Sequence, residues 1–507
     1  MLAGMTTLQA STLRWQVTLP ALILIGGLLT ASAFLGDATS AFFNQLQSSI
    51  VSNFGGLYIG SLTLIVILAI FIALSPAGKL RLGPQDARPK FSTLSWFSML
   101  FSAGMGIGLL FYGVAEPVYH FESPPYADSN LSNHALAMRV TFFHWGLHPW
   151  ALYALVGLAL SFFTYRHQLP MTLRSTLYPL LKDKVHGWLG DTIDTLAVVS
   201  TLIGVATSLG LGVLQLNAGL TFLFDAPETR WFQSLLIGLI TLAATLSVVS
   251  GLSNGVRRLS EANILIAGSL LLAVLFFGPT LEILTGYLKN WGYYLSGLLH
   301  HSTWTGGTET ERGWLAGWTI FYWAWWIAWA PFVGMFIAKI SFGRSIREFL
   351  LAVLVIPTVI GFAWLTIFGE AALFELTQEG SQLATAVNQA MPTALFTLLQ
   401  TYPLSAFLCS AALISIVLFF VTSSDSASLV IDSLATGGHP NPPTLQKVGW
   451  ALLEGLVAAV LLYVGGLKAL QTASLTAALP FMIAIVLMCI SLIIGLARDL
   501  KSNQRDA

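Results

Sequence analysis

Tryptophan is concentrated in one apolar stretch of the chain, which reads WTIFYWAWWIAWAP from Trp318 to Pro331. Membrane proteins commonly place tryptophan in belts at the two membrane surfaces. Trp326 lies 14 residues beyond the charged Arg312, which corresponds to about 21 Å along a helix axis. That depth is close to the middle of a bilayer, so an interfacial belt does not explain this tryptophan.

A second aromatic stretch reads HWGLHPWALY from His144 to Tyr153. Trp150 and Tyr153 are three residues apart and are therefore neighbours on one helix face. A buried indole N–H needs a partner, so tryptophan in a membrane interior suggests that the ring faces have a use. A quaternary ammonium group has no hydrogen-bond donor and is recognised by aromatic ring faces, at about 2 kcal/mol for a desolvated contact. The two stretches therefore predict a binding site for a quaternary ammonium compound.

Three alternate glycines interrupt the third apolar segment, in the sequence GMGIG from Gly104 to Gly108. Small residues can allow two helices to pack closely, but steps of two residues turn by about 200° and do not share one helix face. We therefore expect an unwound stretch here. Such a stretch survives in a membrane only where it lines a protein cavity.

Hydroxyl groups follow another apolar segment, in the sequence FFVTSSDS from Phe419 to Ser426. Hydroxyl and carbonyl oxygens suit a hard cation such as Na⁺. A polar helix end, with hydroxyls bonded back to carbonyls, is the other interpretation. The cation site requires the glycine break to lie opposite these hydroxyls.

Ionisable residues inside apolar segments are candidates for proton transfer, although we expect most of them to satisfy the backbone or partner helices. The candidates are Glu116, His144, His148, Glu370, Asp425 and Glu454.

The composition is that of a membrane protein, with 55% hydrophobic and 9% charged residues, against about 25% charged in soluble domains. A membrane-spanning helix needs about 20 apolar residues, and the chain has twelve such segments. They predict an all-α polytopic membrane protein, with residues 1–507 as one integral membrane domain and short tails at 1–14 and 498–507. The predicted spans are 15–35, 55–75, 93–119, 138–165, 192–222, 231–250, 262–286, 314–338, 348–370, 403–422, 448–467 and 476–497.

Basic residues predict the orientation, because cytoplasmic loops carry an excess of Lys and Arg. With the N-terminus in the cytoplasm, 18 of the 23 Lys and Arg lie on the cytoplasmic side. The five on the outer side are Arg139, Arg230, Lys289, Arg312 and Lys468. We therefore expect a multi-pass protein of the inner, cytoplasmic membrane with both termini in the cytoplasm.

Several protein classes are not expected. The formal net charge is zero and the sequence has no basic run, which argues against nucleic-acid binding. Cys409 and Cys489 both lie in apolar segments, so they suggest neither a disulfide framework nor a metal site. No nucleophile–base pair stands out, so we expect neither an enzyme nor an organic cofactor.

Three motifs together resemble the betaine/choline/carnitine transporter family. They are the glycine stretch from Ala103 to Gly108, the tract from Trp145 to Tyr153, and the long motif from Phe321 to Phe336. The resemblance implies a LeuT-type core in which spans 3–7 and 8–12 form inverted repeats, with two additional N-terminal helices. Substrate and ions would bind near the middle of the membrane. It also implies a homotrimer, to which an amphipathic helix at Trp291–Thr303 contributes.

The resemblance further implies roles for single residues toward the substrate. The aromatic box of the family falls on Trp145, Trp150, Tyr153 and Trp326. Trp325 and Trp329 would flank the permeation path, and Phe332 and Phe336 would act as gating residues on its cytoplasmic side. Backbone amides of the glycine stretch would face a substrate carboxylate, and these belong to Gly104, Met105 and Gly106.

The ion sites are implied in the same way. The main sodium site would use carbonyls of Ser102, Met105 and Phe419 with hydroxyls of Thr422 and Ser423. A second sodium site of the family uses two threonines one turn apart and a phenylalanine, which Thr201 and Phe332 match in part. The other threonine position is Val205, which has no side-chain oxygen. The nearest alternative hydroxyls are those of Thr207 and Ser208.

Gly108 bears on the coupling ion, because proton-coupled choline carriers of the family tend to place an acid within the glycine stretch. The expected function is therefore sodium-coupled symport of a quaternary ammonium or sulfonium compatible solute, above all glycine betaine or a betaine-like zwitterion. Na⁺ would be the coupling ion. The alternatives are proton-coupled or exchange transport of choline or carnitine, a sodium-dependent amino acid carrier, and an ion channel.

Overall fold

The computed structural model describes residues 12–35, 38–104, 106–250, 253–439 and 442–505. Within these ranges the regular structure is helical, apart from one isolated antiparallel bridge between Arg81 and Ser345. The predicted all-α fold is therefore confirmed. The helices are α1 (Trp15–Leu35), α2 (Ala38–Leu74), α3 (Thr93–Gly104), α4 (Ile107–Glu122), α5 (Asn133–Trp145), α6 (Leu147–Ser161), α7 (Tyr178–Leu181), α8 (Trp188–Phe224), α9 (Arg230–Ser250), α10 (Ser253–Phe277), α11 (Thr280–Thr303), α12 (Glu309–Gly317), α13 (Thr319–Ile340), α14 (Ile346–Leu376), α15 (Leu383–Ala390), α16 (Ala394–Gln400), α17 (Ser405–Ala435) and α18 (Thr444–Arg505).

Ten helical segments of the described ranges are long and apolar enough to span a membrane. The third predicted span is not among them, because it is divided between α3 and α4, which have only 12 and 16 residues. The eleventh and twelfth predicted spans lie together on α18, which is interrupted at Gly466 by a left-handed backbone (φ 61°). Each of the twelve predicted spans therefore contains described helix. The inverted-repeat relation of a LeuT-type core stays a prediction.

The end of the predicted seventh span, 262–286, is wrong. Helix α10 ends at Phe277, and Gly278 and Pro279 separate it from α11. Proline disfavours helical backbone at the residue before it, which accounts for the interruption. The amphipathic helix expected at Trp291–Thr303 therefore begins earlier, at Thr280.

The end of the predicted tenth span, 403–422, is also wrong, because α17 continues to Ala435. The Thr422 hydroxyl donates to the Leu418 carbonyl at 2.9 Å, and the Ser426 hydroxyl donates to the Thr422 carbonyl at 2.9 Å. Hydroxyls satisfied in this way can remain inside a helix. The predicted C-terminal tail is likewise helical as far as Arg505.

Glycines let the central helix α13 approach two neighbours closely. A Cβ on Gly157 of α6 would lie 3.1 Å from the carbonyl oxygen of Gly334 in α13. A Cβ on Gly204 of α8 would lie 3.1 Å from the Cβ of Ala328, which is also in α13. Small residues at helix crossings are typical of membrane proteins. Helix α13 is therefore fixed between α6 and α8, which carry other residues of the candidate site.

The outer helices present apolar side chains to the exterior. Leu64, Ile67 and Phe71 of α2 and Leu239 and Leu242 of α9 are each more than half exposed. Many exposed apolar side chains on the outer helices mark contact with a membrane or a partner. Together with the ten apolar helical segments, they indicate a multi-pass membrane protein.

Candidate functional site

A central cavity of about 300 Å³ is bordered by residues of α4, α5, α6, α8, α10, α13 and α17. Its wall contains the predicted aromatic box and the tryptophans of the predicted permeation path. These residues are Trp145, Trp150, Tyr153, Trp325, Trp326 and Trp329. Gly106 and the predicted gating residues Phe332 and Phe336 border the same cavity. A cavity of this volume is at the lower end of the range for small-molecule sites.

The aromatic rings of the wall meet at steep angles. Trp145 and Trp326 stand edge to face, with ring centroids 5.0 Å apart and planes at 71°. Trp150 and Tyr153 do the same at 5.6 Å and 79°, whereas Trp325 stacks on Trp326 at 4.8 Å. The rings therefore form an aromatic surface around the cavity, as cation–π recognition requires.

Hydrogen bonds from the indole N–H groups fix the tryptophan rings. Trp326 Nε1 donates to the carbonyl oxygen of His144 at 3.1 Å, which ties α13 to α5. The Ser208 hydroxyl of α8 accepts from both Trp325 and Trp329, each at 3.1 Å. Because the protein itself satisfies these N–H groups, the tryptophans need no polar partner from a ligand.

Two interruptions of the helices place these side chains. Helix α3 ends at Gly104 and α4 begins at Ile107, with Gly106 in extended backbone (φ −160°, ψ −177°). The predicted break in the glycine stretch is thus confirmed. A second break, at Gly146 between α5 and α6, directly follows Trp145. Sequence reasoning missed it, although Gly146 and Pro149, which lies in the first turn of α6, are local signals of a helix boundary.

Residues of α17 border the same cavity. Phe419, Thr422 and Ser423, which belong to the predicted main sodium site, all lie in the cavity wall. The Thr422 hydroxyl donates to the Phe419 carbonyl at 3.2 Å in addition to its bond one turn back. Since Gly106 also borders the cavity, the structure brings the hydroxyl segment and the glycine break together, as the cation-site interpretation requires.

The other residues near the glycine break that were predicted to contact a substrate carboxylate or Na⁺ have side chains that the structure does not describe. Met105 is not among the described residues, and Ser102 and Gly104 are described only as backbone in the last turn of α3. Their contacts with a substrate carboxylate or with Na⁺ stay predictions.

The residues of the predicted second sodium site do not meet at the cavity. Phe332 borders it, but Thr201 is fully buried and donates its hydroxyl to a carbonyl one turn earlier in α8. Val205 occupies the corresponding place in the wall. The Thr207 hydroxyl contacts the Ser474 hydroxyl of α18 at 2.8 Å. A second sodium site therefore stays a prediction with weaker geometric support than the first.

Several buried ionisable groups join neighbouring helices, as expected of most of the proton-transfer candidates. Glu370 of α14 contacts His134 of α5 at 2.8 Å. Glu454 of α18 accepts a hydrogen bond from the Ser424 hydroxyl of α17 at 2.7 Å. These contacts satisfy the side chains structurally.

Sequence reasoning missed the connection between Glu116 and the aromatic box. The carboxylate of Glu116 accepts hydrogen bonds from Trp145 Nε1 at 2.8 Å and from the Tyr322 hydroxyl at 2.5 Å. The sequence marks Glu116 only as an acid within an apolar segment, because the groups that connect it to the aromatic box lie in other helices.

The fold and the site define a multi-pass, all-helical membrane protein with an aromatic cavity at its centre. The sequence model of the betaine/carnitine/choline family of transporters matches residues 16–501. The chain therefore belongs to this family, and it is a transporter rather than an enzyme.

The similarity to individual relatives extends over nearly the whole chain. A glycine betaine transporter of Acinetobacter baylyi is 44% identical over 92% of this chain and 71% of its own length. A glycine betaine transporter of Bacillus subtilis is 43% identical over 94% of both chains. A transporter of Vibrio parahaemolyticus named for glycine betaine, proline and choline is 43% identical over 90% of this chain and 85% of its own.

Proposed function

We propose that this chain is a sodium-coupled symporter for glycine betaine or a closely related zwitterion. The observation that carries the proposal is a single cavity bordered both by tryptophan rings and by Phe419, Thr422 and Ser423 of α17. Aromatic rings suit a trimethylammonium group, and carbonyl and hydroxyl oxygens suit Na⁺. The glycine betaine transporters of Acinetobacter baylyi and Bacillus subtilis support the same class of substrate.

The charge of the substrate favours coupling to a cation. Glycine betaine has no net charge, so the membrane potential alone does not drive its uptake. Na⁺ entry releases about 2.3 kcal/mol for each 100 mV of potential. Binding of Na⁺ and substrate in one cavity would couple this energy to accumulation of the solute.

The orientation and assembly belong to the same proposal. The protein would lie in the inner, cytoplasmic membrane with both termini in the cytoplasm. The cavity would then extend from Trp326 toward Phe336, at the cytoplasmic end of α13, whose last turn carries Lys339. The transporter would act as a homotrimer to which α11 contributes.

Proton-coupled or exchange transport of choline or carnitine is the second candidate. It is favoured by the Vibrio parahaemolyticus relative, whose name includes choline beside glycine betaine. Choline has the trimethylammonium group but no carboxylate. Its binding would therefore depend on the aromatic box and not on the amides of the glycine stretch.

Uptake of radiolabelled glycine betaine into proteoliposomes, with and without an inward Na⁺ gradient, tests the proposal. We expect saturable uptake that requires Na⁺ and that is inhibited by unlabelled betaine-like zwitterions. Uptake that is unchanged when K⁺ replaces Na⁺ would contradict sodium coupling. Stronger inhibition by choline or carnitine than by glycine betaine would favour the second candidate.

Ser423→Ala is expected to raise the Na⁺ concentration needed for half-maximal uptake by about tenfold, because a hydrogen-bonding or ligating contact to a charged group contributes roughly 1.5–3 kcal/mol. Thr201→Ala is the matched control. Thr201 also lies in a membrane helix, but its hydroxyl bonds to the backbone away from the cavity wall, so we expect a smaller shift. Equal increases of the half-maximal Na⁺ concentration in the two variants would contradict this expectation and would support the second sodium site.

A further inference from the structure

A buried carboxylate lies behind the aromatic box. Glu116 of α4 is fully buried, and its Oε2 accepts hydrogen bonds from Trp145 Nε1 (2.8 Å) and the Tyr322 hydroxyl (2.5 Å). Its Oε1 lies 2.6 Å from His144 Nδ1 and 3.3 Å from His120 Nε2. Four polar groups from three helices thus converge on one carboxylate.

This network reaches two rings of the aromatic box. Trp145 is bonded to Glu116 directly. Trp326 is held by the carbonyl of His144, the residue whose imidazole contacts Glu116. Tyr322 stacks on the His144 imidazole with centroids 4.6 Å apart and on Trp326 with centroids 5.7 Å apart. The orientation of both box tryptophans therefore depends on the groups around Glu116.

Among the described residues, no Lys or Arg side chain forms an ion pair with Glu116. Within the part of the chain that the structure describes, its ion-pair contacts are the two histidines, His120 and His144. Neutral imidazoles satisfy the observed contacts, because His144 Nδ1–H can donate to Glu116 while the Thr319 hydroxyl donates to His144 Nε2 (2.9 Å). A charge that is not compensated in a medium of low dielectric constant attracts a cation more strongly than it would in water.

The bond to Trp145 transmits this charge to the cavity. An indole that donates its N–H to a carboxylate becomes polarised, as hydrogen-bonded groups in a chain polarise one another. The ring face that borders the cavity then carries more negative charge, and this is the property that attracts a cation.

We propose that Glu116 is the counter-charge for the cationic group of the substrate, acting through Trp145 and the groups that hold Trp326. The inference rests on the proposed function and deepens it. Glu116 does not border the cavity, so it is a positioning residue that acts through the rings. It would make the site select solutes with a quaternary cation over solutes of the same shape in which a neutral group takes the place of that cation.

Two substitutions separate the charge from the hydrogen bonds. Glu116→Gln keeps the side-chain length and an oxygen that can accept from Trp145 and Tyr322. Its amide can donate to His144, because the imidazole and the Thr319 hydroxyl can exchange donor and acceptor roles. This variant therefore removes mainly the charge. Glu116→Asp keeps the charge but is one methylene shorter.

Glu370→Gln is the matched control. Glu370 is also a buried carboxylate, bonded to His134 at 2.8 Å and to Asn290 at 2.7 Å. It does not border the central cavity, so its neutralisation tests the general effect of removing a buried charge from this protein.

The measurement is the Kd of each purified variant for two ligands, with thermal unfolding as the check on folding. The ligands are glycine betaine and 3,3-dimethylbutanoate, in which a carbon atom replaces the quaternary nitrogen. We expect Glu116→Gln to raise the Kd for glycine betaine by about tenfold, because it removes a charge that acts on the substrate cation through a medium of low dielectric constant. Glu116→Asp should raise it less, Glu370→Gln should leave it within about twofold of the wild-type value, and the Kd for 3,3-dimethylbutanoate should not rise in Glu116→Gln.

The proposal is overturned if Glu116→Gln binds glycine betaine with the Kd of the wild type. It is also overturned if Glu116→Gln weakens the binding of both ligands to the same extent, or if Glu116→Asp weakens glycine betaine binding as much as Glu116→Gln does. Parallel loss of both ligands would mean that Glu116 only supports the rings. If the wild-type protein itself does not bind glycine betaine, the proposed function fails instead, so the two failures are distinguishable.

Discussion

Trp326→Ala is expected to raise the apparent Kd for glycine betaine by about tenfold or more. A desolvated cation–π contact contributes about 2 kcal/mol, and each 1.4 kcal/mol corresponds to a factor of about ten in affinity. Trp326 borders the cavity and contacts both Trp145, at 5.0 Å between centroids, and Trp325, at 4.8 Å. Truncation therefore removes one ring of the box and the support of two others.

Trp323→Ala is the control for this experiment, because Trp323 lies on the same helix and is fully buried. Its ring stacks on His148, with centroids 5.2 Å apart, and does not border the cavity. We expect Trp323→Ala to lower the unfolding temperature but to leave the Kd within about threefold of the wild-type value. A titration of both purified variants with glycine betaine checks this expectation. Near-native affinity in Trp326→Ala would mean that the substrate binds elsewhere in the protein.

The aromatic part of the site could be predicted from the sequence because it depends on local spacing. Trp150 and Tyr153 lie three residues apart, so any helix through this segment places them on one face. Trp326 lies far from the nearest charged residue of its segment, so burial in the membrane interior follows from helix geometry. Their common cavity then required only that α6 and α13 be neighbours, which the resemblance to a family implied.

A helix break could be predicted only where several glycines in one stretch indicated it. Alternate glycines from Gly104 to Gly108 cannot share one helix face, and the structure has the break there. Gly146 gives a weaker signal, because one glycine is compatible with a continuous helix and only Pro149 follows it within a turn. A Cβ at this position would lie 2.7 Å from the Phe142 carbonyl oxygen and 2.8 Å from the Tyr294 hydroxyl of α11, so the packing at the break requires glycine.

The end of α17 and the role of Glu116 could not be predicted from local sequence patterns, because both depend on contacts between helices. The polar segment after Phe420 looked like a helix end, but Ser424 and Ser428 donate to Glu454 of α18, so a partner helix makes the polar residues compatible with the interior. Glu116 is separated by 29 residues from Trp145 and by 206 from Tyr322. A sequence pattern does not encode contacts over such separations, which arise from the packing of three helices.

Gly108→Ala is expected to weaken glycine betaine binding by roughly five- to a hundredfold. A Cβ at this position would lie 2.8 Å from ring atoms of both Trp145 and Trp325. Neither ring can turn away freely, because Trp145 Nε1 is bonded to Glu116 and Trp325 Nε1 to Ser208. Overpacking of this kind typically costs 1–3 kcal/mol, and here it would displace two rings of the cavity wall, so the cost appears in the Kd for the substrate.

Gly106→Ala, two residues away in the same stretch, gives the comparison that makes this argument testable. A Cβ at Gly106 would have no atom of the described residues within 4 Å, and its extended backbone is accessible to any residue. Both substitutions add one methyl group beside the same cavity, but only the one at Gly108 meets the tryptophans. We therefore expect the Kd for glycine betaine, measured by titration of the purified proteins, to rise clearly more in Gly108→Ala than in Gly106→Ala. Equal effects would mean that the flexibility of the glycine stretch, and not the room it leaves for Trp145 and Trp325, determines substrate binding.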